Sequence, residues 1–252
     1  MMRALNKVFI VAATALVAGC GSITPNVPDV ERTWLSARAY MPGQIFATTP
    51  AKIVNTQRLP VVLYFHGCTG LWRHDYQWAD ELKTLGFVVI APDSFARAER
   101  KPNCDPRTHQ TGYFPQAMAM RDEEIRHAVQ RVRQMPWADP NNIYVMGHSE
   151  GGRAVTTNAV SGVRGTIISG WSCSSRRTAY NGIAHPNAHP TLILEWERDP
   201  WNRGAGSCEQ HLAGRSQTTY IKLRGEGHGS VESPRAREAA RDFLLKMAKP
   251  QA

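Results

Sequence analysis

The residues best suited to chemistry stand in one short run, Gly147-His148-Ser149-Glu150-Gly151-Gly152, directly after the apolar stretch Ile143 to Met146. This is a G-x-S-x-G spacing between a predicted strand and a predicted helix. It fits a sharp turn that exposes the serine hydroxyl with the following helix dipole behind it. Glycines are needed because neighbouring backbone comes too close for a Cβ, and Ser149 is expected to be strained. A serine hydroxyl is a weak nucleophile at neutral pH, so it needs a base within reach and a carboxylate to orient that base. Asp199 lies in the turn Glu197-Arg198-Asp199-Pro200 after the run Thr191 to Glu195, and His228 lies in Gly225-Glu226-Gly227-His228-Gly229 after the run ending near Leu223. Glu195 and Glu197 compete with Asp199, but residues on a strand point into the sheet faces, which favours the residue in the turn. The order Ser, Asp, His suits a strand–turn–helix nucleophile of this kind.

Such chemistry also needs N–H groups aimed at the oxygen on which negative charge develops. Phe65-His66-Gly67-Cys68-Thr69-Gly70 leaves the run that begins at Val61, and the amides of Cys68 and Glu150 are the expected oxyanion-hole donors. His66 and His148 read as packing or loop-bracing residues, and Asp93 as a turn residue. Trp72, Trp171, Trp196 and Trp201 fall near predicted strand ends. Packing is the plainer reading for them, with Trp171 and Trp201 the candidates for a substrate-binding wall. Arg97, Arg100, Arg153, Arg176, Arg177, Arg198 and Arg203 come from the same end. They read mostly as solvated surface, with two or three available for a substrate carboxylate or phosphate.

The elements that must position these groups alternate along the chain. Val61 to Phe65, Val88 to Ala91, Ile143 to Met146, Thr166 to Ile168, Thr191 to Glu195 and Thr219 to Leu223 read as buried strands. Tyr76 to Leu85, Gln116 to Gln134, Gly151 to Val160 and Pro234 to Ala248 read as amphipathic helices, the last with Ser233 as cap and Pro234 in its first turn. Alternation of this kind predicts right-handed crossovers and a mostly parallel central sheet with helices on both faces. Reactive loops then gather beyond the carboxyl ends of the strands. Trp34 to Val54 is expected to add an antiparallel edge hairpin turning at Pro42-Gly43. At 252 residues and 42% hydrophobic, with no repeat and no change of composition, the chain reads as one domain over 34–252. Collagen-like and wholly disordered readings are excluded.

Residues 1–19 carry Arg3 and Lys7, then an apolar run from Val8 to Val17 and small residues, the pattern of an export signal too short to span a membrane comfortably. Val17-Ala18-Gly19-Cys20 resembles the lipobox of bacterial lipoproteins. That resemblance implies cleavage before Cys20, acyl chains on it, membrane attachment through that anchor, and residues 20–33 as a tether. Gly21 after Cys20 favours the outer membrane, facing the periplasm, if the source is Gram-negative. Cys68, Cys104, Cys173 and Cys208 remain, an even number suited to two bridges in an exported protein. Three connectivities are possible, and the strand reading brings Cys68 to Cys104 and Cys173 to Cys208. No spacing suggests a metal site, and His185 and His189 sit among prolines as loop residues. The net charge of +9 suits contact with anionic lipid head groups. The export signal and the lack of a recognisable module speak against nucleic acid.

Together H-G-x-x-G from His66, G-x-S-x-G around Ser149, the post-strand Asp199 and the late G-H-G around His228 resemble the α/β-hydrolase superfamily, in particular its dienelactone hydrolase-like branch. The resemblance covers roughly Val54 to Ala248. It implies the α/β-hydrolase fold and a Ser149–His228–Asp199 triad cleaving small-molecule or polymeric carboxylic esters through an acyl-enzyme, with no cofactor. Dienelactone hydrolase itself uses a cysteine where this chain has Ser149. The same triad also serves an amidase, a peptidase or an acyltransferase, and a non-catalytic envelope-binding lipoprotein is the contrasting expectation.

Overall fold

Strand β2 (Leu59–Phe65) shows why the sheet is buried on both faces. Val61, Leu63 and Phe65 pack into one apolar cluster while Val62 and Tyr64 pack into another, and all five are fully buried. Alternate side chains leave a strand on opposite faces, so a strand apolar at every position requires cover on both. The computed structural model describes residues 27–112, 115–175, 180–202, 204 and 206–248. The export segment 1–19, Cys20, and Arg176, Arg177 and Arg203 lie outside the described residues.

The other strands of the main sheet are β1 (Arg38–Tyr40), β3 (Val88–Ala91), β6 (Ala138–His148), β7 (Gly165–Ser169), β8 (Thr191–Arg198) and β9 (Thr218–Glu226). A two-stranded ribbon, β4 (Cys104–Asp105) and β5 (Gln110–Thr111), lies apart from it. The seven strands run in the order β1-β3-β2-β6-β7-β8-β9. All neighbours are parallel except β1, which pairs antiparallel with β3. Helices α1 (Asp29–Leu35), α3 (Pro115–Arg133) and α4 (Glu150–Thr157) supply Trp34, Ile125, Val132 and Val155 to one face. Helices α2 (Arg73–Thr84) and α5 (Pro234–Met247) supply Trp78, Leu82 and Leu244 to the other. Each such aliphatic side chain contributes roughly 1.5–3 kcal/mol on burial. Among the described residues no helix is long and apolar enough to cross a membrane.

Four local expectations need correction. Thr219 to Leu223 is not a buried strand: β9 is the outer strand of the sheet, and Thr219 and Lys222 are exposed while only Leu223 is buried. Residues 29–33 are not tether: α1 begins at Asp29, because Thr33 and Trp34 are buried against the core and hold this turn down. The edge hairpin is reduced to β1 and a single bridge from Ala39 to Thr48, since Trp34 is committed to the helix and only three residues of β1 pair. The Pro42-Gly43 turn is present, closed by Gln44 N–H to Met41 O at 3.1 Å. At α5, Pro234 starts the helix as expected, but the Ser233 side chain makes no capping bond.

Both disulfides lie at the carboxyl end of the sheet. Cys68 follows β2 and joins Cys104 in β4, with Cα atoms 5.9 Å apart. Cys173 follows β7 and joins Cys208, between β8 and β9, at 4.7 Å. The second bridge spans a separation of 35 residues, for which chain entropy gives about 4 kcal/mol. The Cys173→Ala/Cys208→Ala variant is therefore expected to lose roughly that much unfolding free energy in urea titrations. An unchanged midpoint would show that the bridge restrains nothing in the unfolded chain.

Candidate active site

The turn between β6 and α4 is shaped by close backbone approach. A Cβ on Gly151 would lie 2.1 Å from the Phe65 carbonyl oxygen, and one on Gly147 would lie 2.2 Å from that of Gly151. No side chain fits at either position. Between them Ser149 takes φ 57° and ψ −115°, a conformation that costs about 1–3 kcal/mol for a residue with a Cβ. It is held there by its own N–H donating to Ser169 O at 2.8 Å and by its carbonyl accepting Arg153 N–H at 2.9 Å.

Asp199 lies just past β8 with its carboxylate buried. Oδ1 accepts the Trp201 N–H at 2.9 Å, and Oδ2 accepts from His228 Nδ1 at 2.7 Å and from Asn202 Nδ2 at 3.2 Å. A carboxylate only accepts, so Nδ1 carries a proton, and in the neutral imidazole Nε2 presents a lone pair. That Nε2 is buried and has no hydrogen-bond partner among the described residues. Ser149 is thus not bonded to it in this structure, but both border Ser169–Gly170. A Cβ on Gly170 would lie 2.9 Å from the His148 ring and 3.0 Å from His228 O. Neither competing acid touches His228. Glu195 accepts from Ser207, Tyr220 and the Cys208 N–H, and Glu197 from the Gly225 N–H.

The surrounding aromatics brace the imidazole. Trp201 stacks on His228 with centroids 5.3 Å apart, and it also meets His109 of the β4–β5 turn edge-on at 5.4 Å. Trp196 donates to Gly229 O at 3.4 Å, holding the His228 loop. Trp171 packs under the Arg153 guanidinium. Trp72 is exposed. His148 is buried, lies edge-on to His228 at 4.7 Å and to His74 at 4.1 Å, and contacts Ser169 Oγ at 3.2 Å. His66 accepts the Ser94 N–H on Nε2 at 3.0 Å, so its Nδ1–H donates to Gly67 O at 2.7 Å. Both act as the bracing residues expected of them.

On the other side of Ser149, a Cβ on Gly67 would lie 3.3 Å from the Ser149 Cβ, so the loop after β2 abuts the hydroxyl-bearing residue. The main-chain N–H groups of Cys68 and Glu150 have no hydrogen-bond partner among the described residues. Behind them lies a buried charge cluster. Arg121, Arg100, Glu124 and Glu150 are all nearly or fully inaccessible, and Glu150 Oε1 accepts from both Arg100 and Arg121. Arg97 and Arg100 are therefore not solvated surface, because both guanidinium groups are buried against protein carboxylates, Arg97 on the partly exposed Asp29 and Glu123 and Arg100 on the interior Glu150; Arg198 is exposed as expected. Burial pushes the Glu150 carboxyl up, but Arg121 and Arg100 outweigh it and hold the group below the usual range. For Glu124 burial prevails over Arg121 and raises it. Sequence reasoning did not single out Arg121 and Glu124. The available signal was a charged residue at helical spacing within the apolar stripe Met118, Ile125, Val129 and Val132.

The sequence profile of the dienelactone hydrolase family matches residues 46–216, a range that contains Cys68, Ser149 and Asp199 and ends before His228. The chain belongs to the dienelactone hydrolase family. Membership places it among hydrolases. No curated protein sequence matches it. Among solved structures, Est1E from Butyrivibrio proteoclasticus is similar with TM-score 0.55 and 17% identity, covering 84% of this chain and 93% of its own. Esterase Pf2001 from Pyrococcus furiosus gives 0.56 and 14% over 76% of this chain and 85% of its own. XC6422 from Xanthomonas campestris, a serine hydrolase without a lid, gives 0.54 and 13% over 86% and 90%. At these identities the likeness is one of fold, the α/β-hydrolase fold. Among the described residues no cluster of His, Cys, Asp and Glu has the form of a metal site; His185 and His189 instead stack on each other at 4.5 Å in a loop.

Burial holds His148 well below the ordinary histidine value, helped by His74 and His228. Below about pH 6.5 the unfolded chain binds a proton that the native chain refuses, so this contribution is complete above that value and lost as the pH falls. The slope is up to about 1.4 kcal/mol per pH unit for one such group. His148→Gln is expected to flatten the stability–pH curve below pH 6.5 relative to the parent. Parallel curves in urea titrations at pH 7 and pH 5.5 would refute the assignment of a neutral buried imidazole.

Proposed function

We propose that this member of the dienelactone hydrolase family cleaves carboxylic esters through Ser149, His228 and Asp199. The observation that carries the reading is the 2.7 Å bond from His228 Nδ1 to Asp199, which leaves an unpartnered Nε2 lone pair beside the Ser149 turn. Hydrogen bonds between nucleophile and base are often long before substrate binds. Ser149 Oγ attacks the ester carbonyl carbon as Nε2 takes its proton, and Asp199 stabilises the imidazolium. The amides of Cys68 and Glu150 hold the oxyanion. Collapse of the tetrahedral species passes the proton from His228 to the departing alcohol and leaves an acyl-serine. Water then attacks, giving its proton to His228, and Ser149 is released with the free acid. Trp201 and Trp171 form the aromatic wall. Est1E has been solved with ferulic acid bound, so esters of aromatic acids belong in the substrate panel beside alkanoates.

Ser149→Ala is expected to lower p-nitrophenyl ester turnover by about 10³-fold or more while the protein stays folded. A fluorophosphonate should label the parent at the peptide containing Ser149. Full turnover in the variant, or label on another residue, overturns the triad.

We further propose that Cys20 is lipidated and holds the protein on the cell envelope. Its acyl chains give about 0.8 kcal/mol per buried CH₂. Cys20→Ala should move the protein from the membrane to the soluble fraction and abolish palmitate incorporation; unchanged partitioning contradicts the anchor.

A further inference from the structure

The mechanism uses main-chain groups of Cys68 and Glu150 from two separate segments, so something must set their relative position. One buried side chain touches both. Each nitrogen of the fully buried Arg121 guanidinium has its own acceptor: Nε donates to Glu150 Oε1 at 3.1 Å and Nη1 to Glu124 Oε2 at 3.3 Å. Nη2 donates to His66 O at 2.8 Å and Gly67 O at 3.3 Å.

The contact with Gly67 O has a directional consequence. The carbonyl of Gly67 and the N–H of Cys68 belong to one peptide unit, which is planar and trans, so they point opposite ways. Fixing that carbonyl fixes the aim of that N–H. Arg121 holds it from one direction, the His66 Nδ1–H from another, and Gly70 N–H closes the turn on the same oxygen at 3.3 Å. The Cys68–Cys104 bridge restrains the loop from outside. On the second segment, the Glu150 side chain is gripped by Arg121, Arg100 and Asn103 while its main-chain N–H stands at the start of α4.

We infer that Arg121 is a positioning residue for the oxyanion hole, locking the peptide that carries the Cys68 donor to the residue that carries the Glu150 donor. The inference rests on the ester-hydrolase reading. Arg121 touches no reacting atom, so its effect falls on transition-state stabilisation and little on substrate binding.

The test compares Arg121→Met and Arg121→Lys with Arg97→Met. Arg97 belongs to the same charge network through Asp29, Glu123 and Glu124 but makes no bond to the loop after β2. Fluorophosphonate labelling of Ser149 in the parent first checks the underlying reading separately. If it labels, Arg121→Met should lower kcat by about 10²-fold, near the effect of losing one oxyanion donor, with KM changed less than about threefold. The inhibition constant of a boronic acid, whose adduct with serine is tetrahedral and anionic, should rise in proportion. Arg121→Lys keeps the charge but cannot reach acceptors on three sides, so it should show the same split more weakly. It also decides the matter if the methionine variant does not fold. Arg97→Met, at comparable loss of Tm, should keep kcat within about threefold. Parental kcat and boronate affinity in a folded Arg121 variant, or an equal kcat loss in Arg97→Met, would overturn the inference.

Discussion

The reactive end of this molecule depends on one steric constraint, the approach of the Phe65 carbonyl to the Cα of Gly151. Strands β2 and β6 are parallel neighbours with Phe65 opposite Gly147. The chain leaving β2 and the first turn of α4 therefore compete for the same volume. Deleting two Cβ atoms resolves the competition and lets the helix start directly against the sheet. The turn that remains is so tight that Ser149 is driven to positive φ, and its two main-chain hydrogen bonds offset that strain. The Ser149 hydroxyl and the proposed oxyanion donors share this junction because β2 and β6 lie side by side.

The charge cluster behind the junction is an expensive way to fill space. Removing an ion from water costs several kcal/mol, and a well-packed apolar set is often as stable. Arg100 and Arg121 against Glu124 and Glu150 balance in sign, and Ser94, Asn103, His66 O and Gly67 O take up further donors and acceptors. Loss of one partner from such a set typically costs about 3–5 kcal/mol. An apolar core could supply comparable cohesion, but it has no directional grip on a carbonyl oxygen. The hydrogen-bonded cluster supplies direction as well as cohesion.

Much of this was legible in the residues. Six strands and four helices follow from apolar runs and amphipathic spacing, and β3 ends where the run Val88 to Ala91 does, but β9, the outer strand, buries only Leu223 because it has a neighbour on one side alone. Both disulfides follow from which strand ends come together. Asp199 was separable from Glu195 and Glu197 because a turn residue escapes the sheet faces. What escaped was long-range or short. The seven-residue α1 is stabilised by Trp34 reaching the core rather than by local signals. Arg97 and Arg100 look like surface charges until Asp29, Glu123 and Glu150, far away in sequence, are folded onto them. From the sequence Glu150 matters for its amide alone, and the work of its side chain depends on Arg121 in α3, which spacing does not announce.

The attachment of α1 also sets a direction. Asp29 accepts hydrogen bonds from Arg97 and from the Ala98 N–H, and Thr33 O accepts from the Asp93 N–H, all in the segment that leaves the carboxyl end of β3. The polypeptide upstream of Pro28 therefore joins the body on the rim where the loops carrying Cys68, Ser149, Asp199 and His228 gather, not on the opposite pole. A leash drawn through that point would confine that rim to a short radius around whatever the leash is fastened to.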